Sequence, residues 1–202
     1  MPFQVYSIAD FVKELATLPR AEFTLAGVYQ FLKDHPIEPE SLKPYLFFHS
    51  SHYTRNLIDK NDLYEVIAIC WQSGQRSQIH NHRGQSCWMA VPLGKLLVQN
   101  YKVIAGSAEG GYCELAESDR YWMDPQNPGR VEPGEPIHYV ANPVALGQRA
   151  VSIHLYSYPY DSCMVYFPDQ NRSLEIPLHY SSEYGVLARE GAENVDESTS
   201  SS

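Results

Sequence analysis

Apolar residues in the first fifty positions recur at helical spacing; from about residue 53 they crowd into short runs divided by turn residues. Ser7, Ile8, Ala9 and Asp10 have the form of a capping box, with Phe11, Leu15 and Leu18 on one face before Pro19 ends the run. A second helix is expected to begin near Thr24 and to present Val28, Phe31 and Leu32 before Pro36; a short third one is expected from Pro39 through Leu46. Stripes of this kind suit helices that pack against a sheet, and they carry no chemistry of their own. Residues 63–71 are rich in β-branched and aromatic side chains, as a buried strand is. Residues 53–59, 87–91, 95–101, 112–115 and 151–158 share that texture, and 92–94, 106–111 and 124–129 read as turns between strands. Many short strands with turns between them favour a sandwich or barrel. No internal repeat is evident. The expected organisation is one mainly β domain over 1–190, helical over 7–47 and a barrel from about 53, with a disordered polar tail over 191–202.

Composition narrows the functional classes. At 202 residues and 44% apolar content the chain is long enough for one full core. A formal net charge of −9 makes nucleic acid and anionic membrane poor partners, although part of that excess sits in the tail at Glu190, Glu193, Asp196 and Glu197. No apolar run is long enough to span a bilayer, and the opening residues lack the basic and apolar regions of a signal peptide. Four cysteines do not make a disulfide framework in a chain this long, so a cytoplasmic protein with reduced thiols is expected.

Candidate chemistry concentrates between Gly74 and Gly94. His80 and His82 are one residue apart, so on a strand their side chains share a face, which suits a metal. Alone, the pair reads equally well as a surface feature. Gly74 stands six residues ahead of His80, Gly94 follows the next apolar run, and His138 comes downstream with Asn142 after it. This spacing resembles the two cupin motifs. The first runs glycine, five residues, His-x-His, three or four residues, glutamate, six residues, glycine; only the glutamate is missing, and Cys87 takes its place. In the second, Pro133, His138 and Asn142 match while Glu135 replaces a glycine. The fold this resemblance implies is a cupin jelly-roll (double-stranded β-helix) barrel with the N-terminal helices packed against it. The missing glutamate leaves three neutral histidines as ligands and puts a thiol beside the metal.

The flanking strands sharpen the likeness. The stretch from Tyr53 to Asp59 with Cys70 and Trp71, and the stretch from Val151 to Ser157 with Asp161 and Cys163, are similar to the thiol dioxygenase branch of the cupins. More specifically they resemble cysteine dioxygenases of the animal-like type, over most of the chain from the first helix to Tyr184. That resemblance implies His80, His82 and His138 as ligands of Fe(II), Arg55 as the anchor of the substrate carboxylate, and Tyr53 as a wall of the same pocket. It implies a thioether cross-link between Cys87 and Tyr156, and a hydrogen-bonded chain of Ser152 and His154 reaching that tyrosine. Some bacterial relatives have glycine at the position of Cys87, and relatives acting on mercaptopropionate often have glutamine at that of Arg55; this chain departs in neither way. Asn81 stands where aspartate is usual.

The implied activity is addition of both atoms of dioxygen to the sulfur of L-cysteine, giving cysteine sulfinate, by a cytoplasmic monomer. Alternatives are a dioxygenase for another small thiol such as 3-mercaptopropionate or cysteamine, a non-catalytic metal-binding cupin, or a zinc protein on the same histidines. Cysteamine has no carboxylate for Arg55 to hold.

Elementary chemistry supports the iron reading. Three imidazoles on one face of an octahedral metal leave the other face open, the layout of non-haem iron oxygenases, which more often carry a carboxylate third. Exchanging that carboxylate for histidine makes the site one unit more positive, so a thiolate binds without accumulating negative charge. A free cysteine thiol has a pKa of about 8.5 and is deprotonated on coordination. Transfer of two oxygen atoms to it gives the sulfinic acid. Arg55 offers the planar fork that suits a carboxylate, which lysine lacks. The same residues also have plain readings: an exposed arginine, and a polar strand face meeting solvent at Ser152, His154 and Tyr156. Cys70, Cys113 and Cys163 are expected as small buried hydrophobes, and His35, His49, His52 and His179 as structural or exposed.

Overall fold

A computed structural model of the chain describes residues 4–131 and 137–188. Pro133 and Glu135 of the second motif and the polar tail over 191–202 lie outside the described residues. Helix α1, Ile8–Thr17, starts at the anticipated box: Ser7 Oγ accepts from the Asp10 N–H at 3.1 Å and donates to the Asp10 carboxylate at 2.7 Å. Helix α2, Leu25–Asp34, is capped by Thr24 Oγ1, which accepts from the Gly27 N–H at 3.1 Å. The third helix, Pro39–Tyr45, is a 3-10 segment rather than an α-helix, consistent with Pro44 inside it, which has no N–H to donate.

The strands are β1 Thr54–Lys60, β2 Tyr64–Trp71, β3 Ile79–His80, β4 Cys87–Leu93, β5 Leu96–Gly106, β6 Gly111–Met123 and β7 Gly129–Val131, then β8 His138–Ala141, β9 Ala150–Ser157, β10 Ser162–Phe167, β11 Arg172–Pro177, β12 Ser182–Glu183 and β13 Val186–Leu187. One sheet has the order β13-β12-β1-β2-β9-β4-β7. The other, β10-β11-β6-β5-β8-β3, closes on itself where β3 pairs with β10. Tyr64, Val66, Ala68 and Cys70 on the outer face of β2 pack against Phe11, Leu15 and Val28 of the helices. Ile67, Ile69 and Trp71 on its inner face join Met89, Val98 and Val140 in the core that faces the site. The architecture is the expected mainly β cupin barrel with helices laid on one sheet. Among the described residues, no helix is long and apolar enough to cross a membrane.

Two expectations need correction. The His-x-His pair does not ride on one strand: β3 ends at His80, and His82 lies beyond it, ahead of a turn in which Arg83 and Gly84 take positive φ values of 52° and 77°. The sheet also runs further than its apolar runs. β5 and β6 extend to Gly106 and Met123, past the expected 101 and 115, and β10 to β13 have no counterpart in the expected elements. Beyond Leu115, β6 carries Glu117 and Asp119, residues that strand propensity disfavours and that pairing with β5 overrides.

Candidate active site

Two strand ends and a turn bring three imidazoles together. His80 pairs across the β3–β8 ladder with His138, while His82 arrives from the turn. The ring centroids stand 4.9 to 5.1 Å apart, and one ligating atom from each lies within 4.8 Å of the others. His138 is buried, and neither of its ring nitrogens has a hydrogen-bond partner among the described residues. Buried polar atoms are ordinarily satisfied, and a metal ion satisfies a lone pair on neutral imidazole. The Nδ1 of His80 lies 2.9 Å from the Gln78 carbonyl oxygen, which can only accept. That nitrogen therefore carries the proton, and Nε2 presents a lone pair, the usual arrangement of a metal-ligating histidine. Burial pushes His80 down to about 4 and His138 well below its ordinary value, so both are neutral near pH 7, as ligands must be. The three side chains fit a metal.

Asn81 now has a physical role. Its Oδ1 accepts from the Met164 N–H at 3.1 Å, and its own N–H donates to the Met164 carbonyl at 3.1 Å. The side chain thereby splices the His-x-His turn onto β10 with a neutral acceptor, where aspartate would bury a charge. Asn142 does not join the histidines: it is buried and its amide donates to the Gln148 carbonyl at 2.8 Å, closing the turn after β8.

Beside His80 lies a cavity of about 40 Å³ walled by Tyr53, Arg55, Trp71, His154, Tyr156 and Tyr160, among others. At roughly 10–15 Å³ per water, that is room for about three waters, the scale of a small molecule rather than of a nucleotide. Arg55 is half-buried and turned inward, with a buried Nε that has no hydrogen-bond partner among the described residues. Burial opposes its charge, but Tyr156, Tyr160, Tyr53 and Glu65 more than offset that and raise its pKa. Tyr53 stacks on Trp71 with ring centroids 4.7 Å apart. The exposed-arginine reading does not describe this residue.

Ser152, His154 and Tyr156 do share a face of β9, and it is an interior face. The Trp71 indole N–H donates to Ser152 Oγ at 2.9 Å. Ser152 Oγ is 3.0 Å from His154 Nε2, and His154 Nδ1 is 3.0 Å from Tyr156 Oη. Burial, aided by His80 and Arg55, pushes His154 down to about 3. It is therefore neutral, with one ring nitrogen donating and the other accepting. If Ser152 donates to Nε2, Nδ1–H donates to Tyr156 and frees the phenol O–H for the cavity. Burial also raises the Tyr156 pKa, keeping it a phenol. Cys87 is wholly buried directly opposite Tyr156 in the β4–β9 register, its Sγ 4.0 Å from His154 Nδ1, and burial holds it as a thiol.

A pH effect follows from His154. An unfolded histidine titrates near 6.5, so between about pH 6.5 and about 3 the unfolded chain binds the extra proton. The stability gained by keeping His154 neutral is complete above that window and is lost as pH falls through it. Melting of metal-free protein should therefore drop steeply on acidification, with a shallower slope in His154→Gln.

Three site features lay outside the expected set. Tyr160 stands edge-on to Tyr156 with centroids 5.2 Å apart, in a Tyr-Pro-Tyr segment that gave no signal. Trp71 supplies a donor as well as bulk. Glu65, wholly buried, neighbours Tyr156 in register and was visible as the lone charge within residues 63–71. Cys163 is buried as expected and also lines the cavity. His35 stacks on Phe31 and is structural; His49 stacks on His52, and neither lines the cavity.

A family model described as cysteine dioxygenase type I matches residues 3–169. Cysteine dioxygenase type 1 of Homo sapiens is 26% identical over 182 residues, covering 89% of this chain and 88% of the human protein. The protein of that name from Danio rerio is 25% identical over 186 residues at the same coverage. Among solved structures, a cupin superfamily protein from Desulfitobacterium hafniense shares 9% identity at a TM-score of 0.41, over 56% of this chain and 84% of its own. That likeness is too slight to add to what strand pairing shows. The family match runs from the first helix through β10, and the chain is an enzyme of the cysteine dioxygenase type I family.

Proposed function

We propose that the protein is an Fe(II)-dependent dioxygenase that adds both atoms of dioxygen to the sulfur of L-cysteine, giving cysteine sulfinate. The observation that carries this reading is the convergence of three imidazoles beside a small cavity that also holds an inward arginine. Relatives named cysteine dioxygenase support L-cysteine and dioxygen as substrates. The same reading takes residues 1–190 as one cupin domain of a cytoplasmic monomer without nucleic-acid or membrane partners.

His80, His82 and His138 would hold the iron, which when bound supplies a site for a thiolate and for dioxygen. Arg55 presents its planar N–H fork to the substrate carboxylate, and Tyr53, stacked on Trp71, walls the cavity. Tyr156 donates its hydroxyl into the cavity at the end of the Trp71, Ser152 and His154 chain, holding a proton where the reacting groups meet. Ile69, Val140 and Val165 add apolar wall that disfavours water there. Oxygen uptake by the iron-loaded enzyme tests the reading on a panel of thiols. L-cysteine should be consumed fastest, 3-mercaptopropionate more slowly and cysteamine slowest, since it leaves the Arg55 charge unpaired. Cysteamine turned over as well as L-cysteine would refute the role of Arg55.

The proposal includes a thioether between Cys87 Sγ and a ring carbon of Tyr156. Their register places them as direct cross-strand neighbours, a pairing in which Cβ atoms stand roughly 4.5–5.5 Å apart. Forming the bond removes the thiol hydrogen and one ring hydrogen, with their two electrons passing to dioxygen. Fresh protein should therefore run as two species, the linked one lighter by two hydrogens and growing with turnover. Cys87→Ser and Tyr156→Phe should each give a single species that keeps its iron, with reduced activity. Peptide mapping that finds Cys87 always alkylatable after many turnovers would exclude the link and leave the dioxygenase reading standing.

A further inference from the structure

The reaction so far leaves Glu65 without a task. It is the one charged side chain of β2, wholly buried on the inner face beside Tyr156 of β9 and Lys60 of β1. A carboxylate in such a place is retained against a partner. That partner is Tyr180, whose hydroxyl donates to Glu65 Oε2, while Oε1 has no hydrogen-bond partner among the described residues. Tyr180 in turn sets its ring against Arg55, the guanidinium carbon 5.8 Å from the ring centroid. Lys60 Nζ donates to the Tyr180 hydroxyl at 3.3 Å. The next residue is fastened to the backbone of Arg55 itself. The Ser181 N–H donates to the Arg55 carbonyl at 2.7 Å, and the Arg55 N–H donates to Ser181 Oγ at 3.2 Å. β12 then pairs with β1 in parallel, Ser182 opposite Asn56. This segment lies beyond residues 3–169, where the family model ends.

We infer that Tyr180, anchored by Glu65, is a positioning residue for Arg55, so that this C-terminal segment sets how tightly the pocket takes the carboxylate end of its thiol substrate. The inference rests on the reading of Arg55 as the carboxylate anchor. An arginine side chain has many rotamers, and holding it before the substrate arrives moves that entropy loss from binding to folding.

Kinetics of the iron-loaded full chain with L-cysteine test it, together with the Kd of L-cysteine measured without oxygen. Tyr180→Ala should raise KM and Kd about five- to tenfold, the scale of one cation–π contact, with kcat within about twofold. Tyr180→Phe, which keeps the ring and loses its anchor, should raise them by less. Glu65→Ala should resemble Tyr180→Ala, and Glu65→Gln, which keeps an acceptor for the phenol, should recover most of the loss. In an Arg55→Ala background, Tyr180→Ala should add less than about twofold, because the group it positions is gone. Unchanged KM and Kd in Tyr180→Ala, or an equal rise with and without Arg55, would overturn the positioning role alone. Unchanged KM and Kd in Arg55→Ala would overturn the anchor reading and this inference with it. Should the alanine variants fail to fold, Tyr180→Phe decides: a raised Kd supports the role and an unaltered one overturns it.

Discussion

His138→Ala should strip the enzyme of iron and take turnover of L-cysteine below detection. The side chain is buried at the start of β8, with its ring 4.9 Å from both partner imidazoles. Among the described residues no fourth histidine, cysteine or carboxylate joins the group, so two ligands remain and nothing takes the place of the third. Changes one shell out from a metal cost about 10–100-fold in affinity or activity, and loss of a ligand should exceed that. His80→Ala and His82→Ala should behave alike. His35→Ala and His179→Ala should retain iron, since His35 is stacked on Phe31 and His179 is exposed outside the cavity lining. Metal analysis after desalting reads this directly. Full iron in His138→Ala would mean that a different residue is the third ligand.

Arg55→Ala should leave iron in place and lower kcat/KM for L-cysteine by about one to two orders of magnitude, the equivalent of a charge-assisted hydrogen bond of about 1.5–3 kcal/mol. Arg55 lines the cavity without belonging to the histidine group, so metal content and carboxylate affinity should separate. Arg55→Lys should recover only part of the loss, because an ammonium keeps the charge and not the fork. The defect should shrink for cysteamine, which offers nothing for the guanidinium to bind. Equal L-cysteine kinetics with and without Arg55 would place the carboxylate elsewhere.

Much of this was legible in the chain, for uneven reasons. The two N-terminal helices and β2 announce themselves because their patterns are local: a box at Ser7, a stripe through Phe11 and Leu15, an apolar run through Trp71. The long β5–β6 ribbon does not, because the stretch of β6 beyond Leu115 carries Glu117, Ser118 and Asp119 and only pairing makes it a strand. The histidine pair was found by spacing, but strand alternation is not what unites it; the turn after His80 does that. Alternation along β9 located Ser152, His154 and Tyr156 without saying whether they faced solvent or interior, since period two is blind to which side is buried. Cys87 beside Tyr156 came from resemblance, and only the β4–β9 register makes them neighbours. Tyr160 and Tyr180 carried no local signal, because what matters about each is a contact made across the fold.

The central claim is that His80, His82 and His138 would hold iron, and that the protein so loaded would add both atoms of dioxygen to the sulfur of L-cysteine. Its most direct test is turnover of L-cysteine by iron-loaded protein under isotopically heavy dioxygen, with the product mass read at once. Cysteine sulfinate carrying two heavy oxygen atoms is the predicted result. Cystine, no product, or a sulfinate whose oxygen comes from water would contradict it.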